Sequence, residues 1–516
     1  MQARRDATVL GLIALADLAL HVALSGRYGY WVDELYFIAC GEHLDWGYVD
    51  HPPLIGAVAA LSRALFGDSL PGFRIWSALA GAALVFLTGW IARSLGGGRT
   101  AQVTAALAAA VAPIYAGFAA VLTMNAFEPL FWMGCAYLVM RIAQGADRRW
   151  WLLVGALAGV GLLNKHSMIF FAGALLAGLL ISPQRHLLFD RWVVLAALVA
   201  LLIVAPHLRW QSAHGWPTIE LLANARRYQH QPVTPLEFIW GQIQIMQPVT
   251  LPLWVAGIVY LLTATGAARV RFLGWTFVVA FVVFLLMQAK TYYLAPIYPL
   301  AFAAGAIVVE DVARRRRWVA WTAIALLLVG GAITAPYVLP LLPVSALPTY
   351  MRLLGLQEVR SETRRMGDVP QIFADMLGWE ELVAEVGRVY ARLTPAEREG
   401  AAIWGSFYGP AAAVDYFGSR YGLPKAISGH QNYYLWGPGA ADGRLLIAVG
   451  FPDAALAPWC DQLELAGQIE CPLCMPDRRI QRVHICRGLK MPLREFWPQV
   501  KCWTCDSPPF RRASPG

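Results

Sequence analysis

The 516-residue chain is 58% hydrophobic and only 15% charged, where an average soluble domain carries roughly 25% charged residues. Its net charge of +9 sits in short loops between apolar runs, a placement that argues against a nucleic-acid partner. Apolar runs near or above the ~18 residues of a membrane span recur through most of the first 340 residues. They are continuous rather than alternating, so the spans are read as helices.

In chain order the apolar segments fall at about 7–24, 73–92, 100–119, 124–141, 150–164, 167–182, 192–207, 238–263, 272–289, 295–312 and 318–339. The first carries Asp17 and no small-x-small pattern follows it, so it is expected to stay as a helix rather than leave as a signal peptide. Every second loop is basic. Arg4 and Arg5 precede the first segment, and Arg93 and Arg99 flank the loop after the second. Arg141, Arg148 and Arg149 follow the fourth, Arg185 and Arg191 the sixth, Arg269 and Arg271 the eighth, and Arg314, Arg315, Arg316 and Arg317 the tenth. Basic loops face the cytoplasm, which puts the amino terminus inside and the carboxyl terminus outside.

Three outer regions are long: about 25–72, about 207–236, and everything beyond about 340. The tail is less apolar. "AAIWGSF" and "RLLIAVGF" read as strands, and "WEELVAEVGRVYARL" as an amphipathic helix. Residues 1–340 are thus expected to form the membrane domain and residues 341–516 a small mixed α/β extracytoplasmic domain, in a mainly α protein with about 11 transmembrane helices.

The first outer loop reads "YGYWVDELYFIACGEHLDWGYVDHPPL". Asp33 and Glu34 stand side by side among aromatic residues, and Asp45, Asp50 and His51 follow. A carboxylate at a membrane boundary can take a proton from an incoming hydroxyl or amine; solvated loop acids are the alternative. His-Pro-Pro restricts the backbone beside them.

From this loop onward the chain resembles the bacterial branch of glycosyltransferase family 39, integral membrane enzymes of the GT-C type. These are related to protein O-mannosyltransferases and lipid A aminoarabinose transferases. The likeness runs through "FRIWSALAG", "MNAFEPLFW", "GLLNKHSM", "WQSAHGWPTIE" and "KTYYLAPIYPLAFAAGA", with "SGHQNYYLWGP" in the tail. The resemblance implies a polyprenyl-phosphate-linked sugar donor, an envelope acceptor (lipid A, glycan or protein), and transfer on the extracytoplasmic face of the bacterial inner membrane. It makes Asp33 the catalytic base, with Glu34 beside it. Asp50 stands where the aminoarabinose transferases have a Glu implicated in metal binding, and His51 stands where they have Lys. Asn125 and Glu128 occupy a segment where many relatives carry an Asp.

A leaving lipid phosphate needs positive charge or donors beside it. Lys165, Arg226, Arg227 and Lys290, with Tyr292 and Tyr293, are the candidates. A snorkelling lysine, an aromatic belt and solvated arginines are the alternatives. Asp50, His51, Asn125, Glu128 and His214 are candidate substrate-supporting residues. Asp50, His51 and His207 are candidates for a divalent metal, although the spacing of the outer-loop histidines, His230 among them, has no fixed signature. Cys460, Cys471, Cys474, Cys486, Cys502 and Cys505 crowd the tail, with two C-x-x-C pairs. Structural disulfides, a zinc knuckle and a redox role all stay open, and six cysteines allow 15 pairings. A transporter or flippase, or a non-catalytic sugar-lipid-binding relative, are the competing functions. The few charges at segment centres and the absence of a repeat count against transport.

Overall fold

The computed structural model describes residues 2–229, 232–355 and 367–505; His230 lies outside them. The chain divides into two compact units. One comprises residues 1–27, 65–209 and 232–342; the other comprises residues 28–64, 210–231 and 343–516.

The first unit is helical, and each of the eleven apolar segments has its helix. Among the described residues six single helices are long and apolar enough to cross a membrane: Arg5–Leu24, Leu70–Ser94, Arg191–Ala213, Thr265–Leu286, Thr291–Arg315 and Trp318–Val338. Three more candidates are bent pairs: Arg99–Val111 with Pro113–Ala119 at 64°, Met168–Ile181 with Pro183–Phe189 at 120°, and Pro235–Ile245 with Pro248–Thr263 at 99°. The segments at 124–141 and 150–164 are helices Met124–Ala143 and Trp151–Asn164. Proline explains the breaks inside the expected 100–119 and 238–263 segments. Ala112, before Pro113, is extended, and Gln247, before Pro248, has φ 71°; a residue preceding proline is driven out of helical conformation.

Helix Leu251–Thr263 packs against Tyr298–Arg315 with the two backbones in contact. A Cβ on Gly257 would overlap the Ala301 carbonyl oxygen, and one on Gly305 would overlap that of Leu253. Small residues permit such an approach between membrane helices.

The second unit is built on a five-stranded sheet. Its strands are β1 (Ala401–Gly405), β2 (Ala426–Ile427), β3 (Leu445–Val449), β4 (Cys460–Glu470) and β5 (Ile480–Leu489), in the order β2-β1-β3-β5-β4. β1 runs parallel to β2 and β3; β5 is antiparallel to β3 and β4. The expected strands in "AAIWGSF" and "RLLIAVGF" are β1 and β3, and the expected amphipathic helix spans Trp379–Ala391, burying Leu382, Val383, Val386 and Val389. Trp404, Leu446, Phe451 and Phe496 form the core beneath the sheet. Helix Val32–Glu42 buries Val32 and Glu34 through Cys40 and packs on helix Tyr408–Phe417.

All six tail cysteines are paired, as Cys460–Cys486, Cys471–Cys474 and Cys502–Cys505. Cys40 and Cys135 are free and buried.

Candidate active site

In the second unit, Asp33 lies in the first turn of helix Val32–Glu42. The neighbouring Glu34 turns back on its own chain: its Oε2 accepts from the Trp31 N–H at 2.9 Å, which satisfies one of the free donors at the helix start. The two neighbouring acids therefore have different partners. Glu34 is fully buried against the helix end, while Asp33 is half-buried. The Asp33 carboxylate accepts a 2.6 Å hydrogen bond from the Tyr408 hydroxyl, and the helix N-terminus favours negative charge there.

Tyr408 is held from three sides. Its ring stacks on Tyr36 at 4.7 Å and on His430 at 5.0 Å. Its backbone N–H donates to His430 Nδ1 at 3.2 Å, and His430 Nε2 lies 3.2 Å from the Trp503 carbonyl oxygen. A carbonyl only accepts, so Nε2 carries the proton and Nδ1 is free to receive the Tyr408 amide. Burial, with the Asp33 charge second, pushes the Tyr408 phenol well above its ordinary range. Tyr408 is a fixed donor to Asp33 at any physiological pH.

Asp50 and His51 also contact Tyr36, His51 edge-on at 5.9 Å. The Tyr36 hydroxyl donates to Asp50 Oδ1 at 3.1 Å, and the Gln431 amide nitrogen lies 2.7 Å from the same oxygen when its donor faces the carboxylate. Burial raises the Asp50 carboxyl above its usual range against the pull of His51. His51 is fully buried; its Nδ1 donates to the Pro52 carbonyl at 2.9 Å, and its Nε2 faces the Cys40 thiol at 3.9 Å.

Of the metal candidates, Asp50 and His51 belong to the second unit. His207 belongs to the first unit, where its Nε2 lies 2.9 Å from that of His166. Among the described residues no three His, Cys, Asp or Glu side chains converge on a metal position. Asp50 itself is engaged by two donors, the Tyr36 hydroxyl and the Gln431 amide.

The second loop is stitched to the first. Gln211 Nε2 donates to the Thr218 hydroxyl at 2.7 Å, and that hydroxyl donates to the Val49 carbonyl at 2.9 Å. Trp210 Nε1 donates to Asp45 Oδ2 at 2.7 Å and stacks on His214 at 4.2 Å. Asn432 Oδ1 accepts from the Val49 N–H at 2.7 Å. "WQSAHGWPT" and "SGHQNYY" thus hold the backbone that presents Asp50. His214 is occupied with Trp210, and Arg226 and Arg227 are exposed in the last turn of helix Pro217–Tyr228, where cations complement the helix dipole.

In the first unit Lys165 draws two motifs together. Its ammonium donates to Asn125 Oδ1 at 2.7 Å and to Glu128 Oε2 at 2.8 Å. Glu128 also accepts from the Ser167 hydroxyl. The Tyr292 and Tyr293 rings lie 5.2 and 4.9 Å from the ammonium, within cation–π range. Lys290, half-buried, precedes the 3-10 turn Thr291–Ile297.

Sequence reasoning missed Tyr36, Tyr408, His430, Gln431 and Asn432. The last three lie in a tail motif noted only for its family likeness. Tyr408 carries no local signal, since its partner is 375 residues away.

Comparison with known proteins agrees with this architecture. The family described as dolichyl-phosphate-mannose-protein mannosyltransferase matches residues 50–210. Among curated proteins, the chain is 26% identical over 340 residues to an undecaprenyl phosphate-alpha-4-amino-4-deoxy-L-arabinose arabinosyl transferase of Pseudomonas aeruginosa strain UCBPP-PA14. It is 27% identical over 347 residues to the protein of that name from Pseudomonas paraeruginosa. Each match covers 60% of this chain and 60% of the relative's own length. The fold is similar to that of ArnT from Cupriavidus metallidurans in the apo state, with a TM-score of 0.62, 17% identity, and coverage of 94% of this chain and 98% of that one. The same protein bound to undecaprenyl phosphate gives a TM-score of 0.61 at 16% identity, over 92% of this chain and 97% of that one. The chain is a multi-pass membrane protein of the GT-C fold, similar to glycosyltransferase family 39.

Proposed function

We propose that the chain is a membrane glycosyltransferase that moves a sugar from a polyprenyl-phosphate donor to an envelope acceptor, with Asp33 as the base. The observation that carries this reading is the Asp33 carboxylate, half-buried at a helix N-terminus and aligned by a 2.6 Å bond from Tyr408. The names of the curated relatives supply the donor class, undecaprenyl phosphate bearing an amino sugar.

In the proposed reaction an acceptor hydroxyl or amine gives its proton to Asp33 as its oxygen or nitrogen bonds to the anomeric carbon. The bond from that carbon to the phosphate oxygen breaks from the opposite side, so configuration inverts, and polyprenyl phosphate leaves. A phosphate leaving group needs no general acid. It needs positive charge, for which Lys165, Lys290, Arg226 and Arg227 are the candidates. Tyr408 holds one Asp33 oxygen and so fixes the orientation of the carboxylate. Asp50 and His51 support the loop that carries the base, and lipid A, another glycan or a protein is the acceptor. The membrane domain of residues 1–340 then lies in the bacterial inner membrane, with the tail outside.

The test is Asp33→Asn in a transfer assay on envelope lipids and glycans. Transfer should fall by ~10²-fold or more; near wild-type transfer by a properly inserted variant refutes the base. A periplasm-active reporter fused near Pro340 should be active, and activity of a cytoplasm-only reporter refutes the topology.

A further inference from the structure

The second unit contains a groove, remote in sequence from Asp33, that encloses about 540 Å³, a volume within the range of small-molecule sites. It opens beside β2, the edge strand of the sheet. Small residues line it: Gly400 just before β1, Ala401 and Ala402 at its start, Ala426 of β2, and the Gly437–Ala441 turn. Gly437 and Gly439 have φ of 85° and 60°, a backbone path open to glycine and strained for most other residues.

One wall is aromatic. Trp436 is half-buried, stacked on His43 at 4.3 Å and edge-on to Tyr433 at 4.8 Å. The other walls are polar and of both signs: Glu399, Asp415, Asp442, Lys425 and Arg444. Both cations already have partners. Lys425 donates to Glu42 at 2.7 Å, and Arg444 to Asp442 at 2.5 Å. Asp415 accepts from the Ala426 N–H and the Tyr433 hydroxyl, each at 2.7 Å.

This chemistry discriminates among ligands. A phosphate or other anion would meet three carboxylates and two cations already neutralised. An acyl chain would strip water from five charged groups. A metal ion would need the carboxylates to converge, and among the described residues no such group exists. A sugar ring fits, because it has an apolar C–H face for a flat aromatic ring and a rim of hydroxyls that both donate and accept. We propose that this groove is a saccharide-binding subsite, with Trp436 as its platform and Asp415, Lys425 and Arg444 as its hydroxyl partners. It rests on the groove alone and stands whether or not Asp33 is a base.

The experiment is calorimetric titration of the full-length protein in detergent with cellobiose and with β-1,4-linked diglucosamine, using inorganic phosphate as the anion control. Saturable binding of at least one disaccharide is expected. Trp436→Ala should weaken it at least 10-fold, and Ala440→Trp, which fills the groove from an exposed turn, should do the same. Asp33→Asn should leave the affinity unchanged, so failure of the catalytic reading is distinguishable from failure of the groove. Three results each overturn the proposal: no saturable binding of either disaccharide, affinity retained in both groove variants, or phosphate binding as tightly as the sugars.

Discussion

The Lys165–Glu128 pair in the first unit can be dissected by a double-mutant cycle. Lys165 and Glu128 side chains are 15% and 4% exposed and 2.8 Å apart. At an effective dielectric of about 20, two unit charges at that distance attract by roughly 6 kcal/mol, and the cost of desolvating both offsets much of this. Removing one partner forfeits the attraction and keeps the other ion's desolvation. Lys165→Met should therefore cost about 3–5 kcal/mol. Glu128→Gln should cost less, about 2–3 kcal/mol, because Asn125 and the tyrosine rings still face the ammonium. The double variant has no buried charge, so its cost should fall short of the sum by on the order of 2 kcal/mol. Equilibrium unfolding in mixed micelles, followed by tryptophan emission, measures all three. Costs that add to within about 0.5 kcal/mol refute the coupling. Sugar transfer by the double variant separates the two roles of Lys165. Transfer lost in the stable double variant but kept in Glu128→Gln supports a contact of Lys165 with donor phosphate, and normal transfer by both confines Lys165 to packing.

Further outcomes concern Tyr408, Asp415 and the cysteines. Tyr408→Phe removes a hydrogen bond to a carboxylate and should cost about 1.5–3 kcal/mol in unfolding experiments; an unchanged unfolding midpoint would show that the bond is not made. Burial raises the Asp415 carboxyl from 3.8 to about 6, so its contribution to stability is full below pH 3.8 and lost as pH rises through 6. That loss is roughly 3 kcal/mol, so Asp415→Asn should raise the midpoint at pH 7.5, with the gain vanishing by pH 4; a pH-independent difference contradicts the assignment. Thiol titration of the denatured, unreduced chain should find two of the eight cysteines free. Loss of Cys460–Cys486, which spans 26 residues, should cost about 3.5 kcal/mol, against about 2 kcal/mol for Cys471–Cys474, which spans 3. A titre of six or more would refute the pairing.

The membrane helices were legible because a continuous apolar run admits only one hydrogen-bonding solution in a bilayer. Candidate polar residues were legible for the same reason: Asn125, Glu128 and Lys165 stand out against apolar neighbours, and the structure joins them. Ala112-Pro113 and Gln247-Pro248 carried the signal for the two breaks, but hydropathy averages over proline. β4 escaped notice because "CDQLELAGQIE" is mostly exposed and rich in residues with low strand preference. Tyr408 was illegible in principle. Its role depends on a partner hundreds of residues away, and nothing in "GSFYGP" marks one tyrosine from another. Neither did composition show that residues 28–64 and 210–231 belong with the tail.

That discontinuity sets a clock. Asp33 and Tyr408 are 375 residues apart, and at ~5–20 residues per second a ribosome needs roughly 20–75 s to make the second after the first. For that interval the first loop has neither the helix it packs on nor the hydroxyl that aligns its carboxylate. The bracket around Asp33 closes only when "SGHQNYY" and the Cys502–Cys505 turn arrive. The acid is among the first polar groups to be synthesised and among the last to be put in place, so a nascent chain carries the base long before it carries an aligned one.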